Sequence, residues 1–189
     1  MLLWVCDFSI EMLSDDEVDR HLIEARMNME AKDFLLIEPT DAYADRFSGM
    51  TIDKSDKKFT LAFGSPSNYY PESLLTRPSK RLLIFSHGRD LIFWDLNRFE
   101  VCKKQYVSDL VQAICDINDK NCSNTDNFLV ICETSLHIYN DTGSIVKEVF
   151  FEDIVCSFRY EGILLTLEFL DSNAITYEVS SYGLEKTLA

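Results

Sequence analysis

The sequence is short of what catalytic and cofactor chemistry draws on. Its six glycines are scattered and assemble into no G-x-G-x-x-G or G-x-x-x-x-G-K cradle for a phosphate. Six cysteines include no C-x-x-C pair, and Cys115 and Cys122 stand further apart than a usual zinc-ligand pair. Three histidines make no H-x-x-x-H, and Ser65 in Phe63-Gly64-Ser65-Pro66 lacks the G-x-S-x-G spacing of a nucleophile elbow. No apolar run approaches the roughly 18–20 residues of a membrane span. Positive charge is also scarce: 18 Lys and Arg face 32 Asp and Glu, for a formal net charge of −14. A nucleic-acid binder needs clustered cations to neutralise phosphate. These absences point away from an enzyme and imply no cofactor, no metal, no nucleic acid and no membrane.

What is present is acidic and patterned. Residues 1–60 hold 14 acids and 7 bases, residues 61–110 hold 5 and 7, and residues 111–189 hold 13 and 4. Charge of one sign held in two blocks favours a basic protein as partner. Several cysteines lie inside apolar runs, as in Val130-Ile131-Cys132 and Ile154-Val155-Cys156, where a thiol behaves as a small hydrophobe. The opening MLLWVCDF has no basic region of the kind that starts a signal peptide. Reduced thiols in a cytoplasmic protein are the expectation.

Read in order, Leu2–Met12 predicts a first strand. Ser14-Asp15-Asp16-Glu17 then supplies a capping box and acids at the positive end of a helix dipole, so a helix is expected to about Lys32. Asp33–Glu38, Gly49–Ile52 and Lys58–Phe63 read as strands, giving a β-α-β-β-β unit over residues 1–64 with the helix packed on one sheet face. Residues 65–80, with three of the four prolines and the pair Tyr69-Tyr70, form a connecting loop. Residues 81–189 then read as an antiparallel meander sharing a core with the first unit. The expected fold class is α+β.

Three strand–turn–strand modules align within the meander: Leu82-Leu83-Ile84-Phe85 onward, Phe128-Leu129-Val130-Ile131 onward, and Leu164-Leu165-Thr166-Leu167 onward. Trp94, Tyr139 and Tyr177 fall at the same place in each. Val111–Ile117 adds a strand ahead of the polar loop Asn118–Asn127. Ile163, Leu165, Leu167 and Phe169 should share one strand face, with Thr166 and Glu168 on the other.

Candidate chemistry is thin. His21 sits among acids, His87 in a turn, and His137 points away from the face that Leu136 and Ile138 share. A Cys132/His137 pair can be drawn as nucleophile and base, but core packing explains both residues. Asp116-x-Asn118-Asp119 lacks the glycine and closing glutamate of a calcium loop. Surface residues carry more weight. Asp15, Asp16, Asp19 and Glu24 cluster at the helix start, Asp116, Asp119 and Asp126 flank the polar loop, and Glu152-Asp153 ends a strand. Tyr69 and Tyr70 could be rigid interface anchors, whereas Trp94 fits core packing better.

Two resemblances follow. The element order of residues 1–64, with S-D-D-E-V-D, D-F-L-L-I-E and K-K-F-T-L-A-F-G, resembles bacterial immunity proteins, the antidotes of polymorphic and contact-dependent growth-inhibition toxins. That resemblance implies an acidic inhibitor docking 1:1 on a basic toxin domain, a nuclease, and occluding its active site. Residues 81–188 resemble WD40-type blades through the module spacing and the dipeptide Trp94-Asp95, although the Gly-His signature is reversed as His87-Gly88. Three modules are too few to close a propeller. This second resemblance implies a scaffold or adaptor for protein–protein interaction. An enzyme of unrecognised type is a third reading, and it requires a pocket joining His87 or His137 to a cysteine and a carboxylate.

Overall fold

A computed structural model describes residues 2–13, 33–37, 46–54, 57–65, 73–117 and 126–187. All the regular structure among them is strand apart from one 3₁₀ turn at Pro78–Lys80. By packing, the chain divides into two compact units, Met1–Lys104 and Gln105–Ala189, and each is described by itself.

The first unit contains two sheets. β1 (Leu2–Val5), β2 (Phe8–Leu13), β3 (Phe34–Ile37), β4 (Arg46–Lys54) and β5 (Lys57–Ser65) form a five-stranded sheet in the order β1-β2-β4-β5-β3. All its pairings are antiparallel except β3 with β5, where Leu35 lies beside Leu61. The expected single strand over 2–12 is instead a hairpin, with Val5 paired to Phe8 around Cys6-Asp7. Cys6 takes a left-handed conformation there, φ 54°, which tight hairpin turns require and which sequence usually announces with Gly or Asn. The second sheet is a meander of β6 (Leu74–Arg77), β7 (Leu82–His87), β8 (Asp90–Asp95) and β9 (Glu100–Tyr106). Its central hairpin turns at Gly88-Arg89 with His87 paired to Asp90. Gly88 has φ +60° and open space where a Cβ would stand, so it is glycine for its backbone and not for packing.

The second unit also contains two four-stranded antiparallel meanders. One is β10 (Val111–Asp116), β11 (Asn127–Cys132), β12 (Ser135–Asn140) and β13 (Ile145–Phe150). The other is β14 (Val155–Glu161), β15 (Leu164–Phe169), β16 (Ala174–Ser180) and β17 (Gly183–Lys186). Trp94, Tyr139 and Tyr177 each lie in the third strand of their meander.

The α+β class is therefore corrected to an all-β arrangement: no α-helix occurs among the described residues. The expected helix falls on residues 14–32, outside the described residues. The physical reason lies in the strands around it. Phe8 and Ile10 of β2, with Met50, Ile52, Phe59, Leu61 and Phe63, are buried against Leu83, Phe85, Ile92 and Trp94 of the second sheet. This face of the first sheet is thus covered by a sheet. Residues 74–77, expected within a loop, form β6.

The second unit repeats this plan. Leu129, Ile131, Leu136 and Ile138 meet Val155, Leu165, Leu167, Phe169, Tyr177 and Val179 in one apolar layer. Leu165, Leu167 and Phe169 share the buried face as expected, while Ile163 sits in the turn. The central strands β7, β8, β11 and β12 are buried on both faces, which is why they read as continuous apolar runs. β15 alternates, because its other face carries Leu164, Thr166 and Glu168. Leu167→Ala should lower the unfolding free energy of the second unit by about 2–5 kcal/mol. Leu164→Ala, on the exposed side of the same strand, should change it by less than about 0.5 kcal/mol. Urea titrations of both variants check the assignment of faces.

Candidate functional site

Most residues singled out from sequence lie outside the described part of the chain. Asp15, Asp16, Asp19, Glu24, Tyr69, Tyr70, Asp119 and His21 all do. Asp116 and Asp126 are exposed at the end of β10 and just before β11. The two remaining histidines and the buried thiols are absorbed by packing.

His87 is the last residue of β7 and is 2% exposed. Its Nε2 donates to the Gly64 carbonyl at 2.6 Å, which leaves Nδ1 as the unprotonated nitrogen, and its ring lies 5.5 Å from that of Phe63. Burial pushes its pKa below the usual 6.5. His137 points away from Leu136 and Ile138, as expected, yet it is also buried. Its Nε2 is 2.9 Å from the Ser135 hydroxyl. Glu148 stands 3.8 Å from Nδ1, too far for a hydrogen bond, and burial outweighs its attraction, so the pKa is again lowered. Burial likewise pushes the Cys132 thiol up to about 12 and that of Cys115 to about 11. A nucleophilic thiol beside an imidazolium needs shifts in the opposite directions, and the two His137 nitrogens face Ser135 and Glu148.

Among the described residues a cleft of about 310 Å³ lies in the second unit. It lies at the end of the apolar layer between the two meanders. Phe150 ends β13, Phe151, Glu152 and Asp153 lead into β14, Phe169 ends β15, and Asp171 and Asn173 sit in the following turn. Ile175 and Tyr177 of β16 complete the wall.

Its floor is aromatic. The Phe151 ring stands edge-on to Phe169 at 5.1 Å and lies 6.3 Å from Tyr177, and its amide is tied to the Thr134 carbonyl at 2.8 Å. Phe150, 60% exposed, borders the cleft, but its ring stands edge-on to that of His137 at 5.9 Å, on the sheet face opposite Leu136 and Val149. The rim is acidic and fixed. Asp153 accepts the Ile154 amide with one oxygen at 2.7 Å and the Asp171 amide with the other at 3.0 Å. Asp171 in turn accepts the backbone amide of Asn173 at 2.9 Å and the Asn173 side-chain amide. Ser172, at the corner, holds φ 67°. Glu152 is exposed beside them.

The sequence marked Glu152-Asp153 as an acidic pair and Tyr177 as a repeat position, but it did not join them. The available signal was F-F-E-D after one strand and D-S-N in the turn of the next hairpin. Only the packing of the two meanders brings those segments together.

No family model matches the sequence, and no curated protein does. Solved structures do match. The chain is similar to a chain in the crystal structure of a mitotic checkpoint complex, with a TM-score of 0.53 and 16% identity, covering 80% of this chain and 51% of that one. It is also similar to Sqt1 of Saccharomyces cerevisiae, with a TM-score of 0.50 and 13% identity, covering 71% of this chain and 41% of that one. These neighbours are WD40-like β-propeller proteins. The fold is WD40-like. The chain spans about half the length of the first neighbour and two fifths of the second. The resemblance to immunity proteins finds no support in these comparisons.

The buried histidines make stability depend on pH. Both have folded pKa values below 6.5, so below that pH the unfolded chain binds more protons and the folded state loses ground. The thermal midpoint should therefore be flat from pH 8 to 7 and fall as pH drops from about 6.5 towards the depressed values. The fall should be smaller in His137→Gln, whose amide does not titrate. Calorimetry on both proteins checks this.

Proposed function

We propose that this chain is a non-catalytic protein-interaction module, a WD40-like scaffold that presents a docking surface on its second unit. The observation that carries the reading is the aromatic, acid-rimmed cleft on a fold built from stacked meanders. Phe150, which borders it, is exposed, as are Ile154 and Leu170 next to Asp153 and Asp171. Rigid aromatic groups ringed by polar ones are the composition of interface hot spots. The first structural neighbour is itself part of a multiprotein complex by its description, which is compatible with this use of the fold.

A basic partner is favoured. Residues 105–189 hold 14 acidic and 4 basic residues, and long-range attraction of that kind accelerates encounter with a cationic protein. The finer idea of an antidote to a toxin retains only this charge argument. Nothing in the comparisons favours a toxin over any other basic partner.

Photo-cross-linking tests the module reading. A benzophenone amino acid placed separately at Phe150, Asp116 and Glu178, in cells that express the chain naturally, should yield a discrete protein adduct from position 150. Adducts from none of the three positions would rule the reading out. Raising salt from 50 to 500 mM should also slow capture several-fold, since surface charge is screened over about 3–10 Å at high to moderate ionic strength.

A further inference from the structure

We propose that the cleft at the Phe151 end of the second unit receives an arginine side chain from an extended basic segment of a partner protein. The proposal rests on the interaction-module reading and names the chemistry its surface recognises.

Three features of the cleft select this group. The first is hydrogen-bonding character. The amides of Ile154, Asp171 and Asn173, and the Asn173 side-chain NH₂, already donate to Asp153 and Asp171. The rim therefore spends these donors on itself and turns its remaining acceptor capacity outward, from Glu152, Asp153 and Asp171. A guanidinium has five donors and no acceptor. The second is shape. The Phe151–Phe169–Tyr177 group offers ring surface beside the carboxylates, and a planar, weakly hydrated cation stacks on such rings where a compact ammonium does so less well. The third is charge. Among the described residues no lysine or arginine lines the cleft, so an anionic ligand would meet three carboxylates there.

The carboxylates are also held in place before any ligand arrives. Asp153 reaches from the β13–β14 connection to the backbone of the β15–β16 turn, so the two segments that bear the acids are fixed to each other. Binding then needs little reordering of the rim.

The test uses the full chain and a fluorescein-labelled octapeptide of alternating glycine and arginine, read by fluorescence anisotropy at constant ionic strength. Glu152→Gln with Asp171→Asn removes two rim charges and leaves an oxygen to accept the Asn173 amide. That double variant should weaken binding at least tenfold, and Phe151→Leu, which keeps an apolar side chain but removes the ring, should weaken it several-fold. Glu161→Gln with Glu178→Gln, which removes two charges from the outer face of the β14–β17 sheet, should change binding less than twofold. A peptide with citrulline in place of arginine should fail to bind, and one with lysine should bind several-fold more weakly. Equal loss from the two double variants would show diffuse attraction to an acidic protein and overturn the proposal. Binding of the citrulline peptide as tightly as the arginine peptide would do the same. Calorimetric midpoints confirm that each variant is folded, and the exposure of Glu152 and Asp171 keeps their double variant usable should Phe151→Leu unfold. Cross-linked adducts from Asp116 or Glu178 alone, without arginine-peptide binding, would sink the cleft proposal and leave the module reading intact. Absence of adducts at every position would sink both.

Discussion

In each unit two sheets meet through one shared apolar layer, and the rest of the structure hangs on it. The layer in the second unit joins Leu129, Ile131, Leu136 and Ile138 to Leu165, Leu167, Tyr177 and Val179. Because strand side chains alternate with a period of two, a one-residue slip in β15 would exchange Leu165, Leu167 and Phe169 for Leu164, Thr166 and Glu168. It would also move Phe169 out of the cleft floor. Register and site are therefore set by the same burial, and the cleft is as rigid as the core that ends in it.

The tight turns carry the second constraint. Gly88 and Gly162 supply positive φ where two-residue hairpins need it, whereas Cys6, Phe99 and Ser172 adopt it without being glycine. Phe99 is held by the rings of Phe8 and Phe59 at 6.0 and 5.9 Å. Ser172 is held by the Asp171–Asn173 hydrogen bonds on either side of it. Non-glycine residues in this region cost about 1–2 kcal/mol, so they persist where surrounding contacts determine them. At Ser172 those contacts also orient the acidic rim.

The sequence revealed the repeat more readily than the fold class. Trp94, Tyr139 and Tyr177 recur because each occupies the third strand of a meander, and the flanking runs are apolar because β7, β8, β11 and β12 are buried on both faces. Other strands hid for physical reasons. β14 buries only Val155 fully, so V-C-S-F-R-Y-E carries no alternation to read. β6 is four residues long and follows a proline-rich stretch, and the Cys6-Asp7 turn lacks a glycine. The candidate site was less legible still, because its acids and rings come from segments about 20 residues apart that only the pairing of two meanders unites.

The contrast between sheet faces narrows where a partner can dock on the second unit. On the outer face of the β14–β17 sheet, Ser157 donates to Glu168 at 2.5 Å, Thr166 and Thr176 share a hydrogen bond at 3.1 Å, and Arg159 lies 3.9 Å from Glu161. A surface whose polar groups satisfy one another loses those bonds when covered, and it returns little apolar burial. At the end of the apolar layer the balance reverses. Phe150, Ile154 and Leu170 expose 60%, 43% and 66% of their surface, and the neighbouring carboxylates face outward with acceptor capacity to spare. Covering that end removes apolar area from water and gives fixed acceptors a donor-rich partner. Apolar gain and polar complementarity thus coincide at the cleft, while the outer sheet face offers neither.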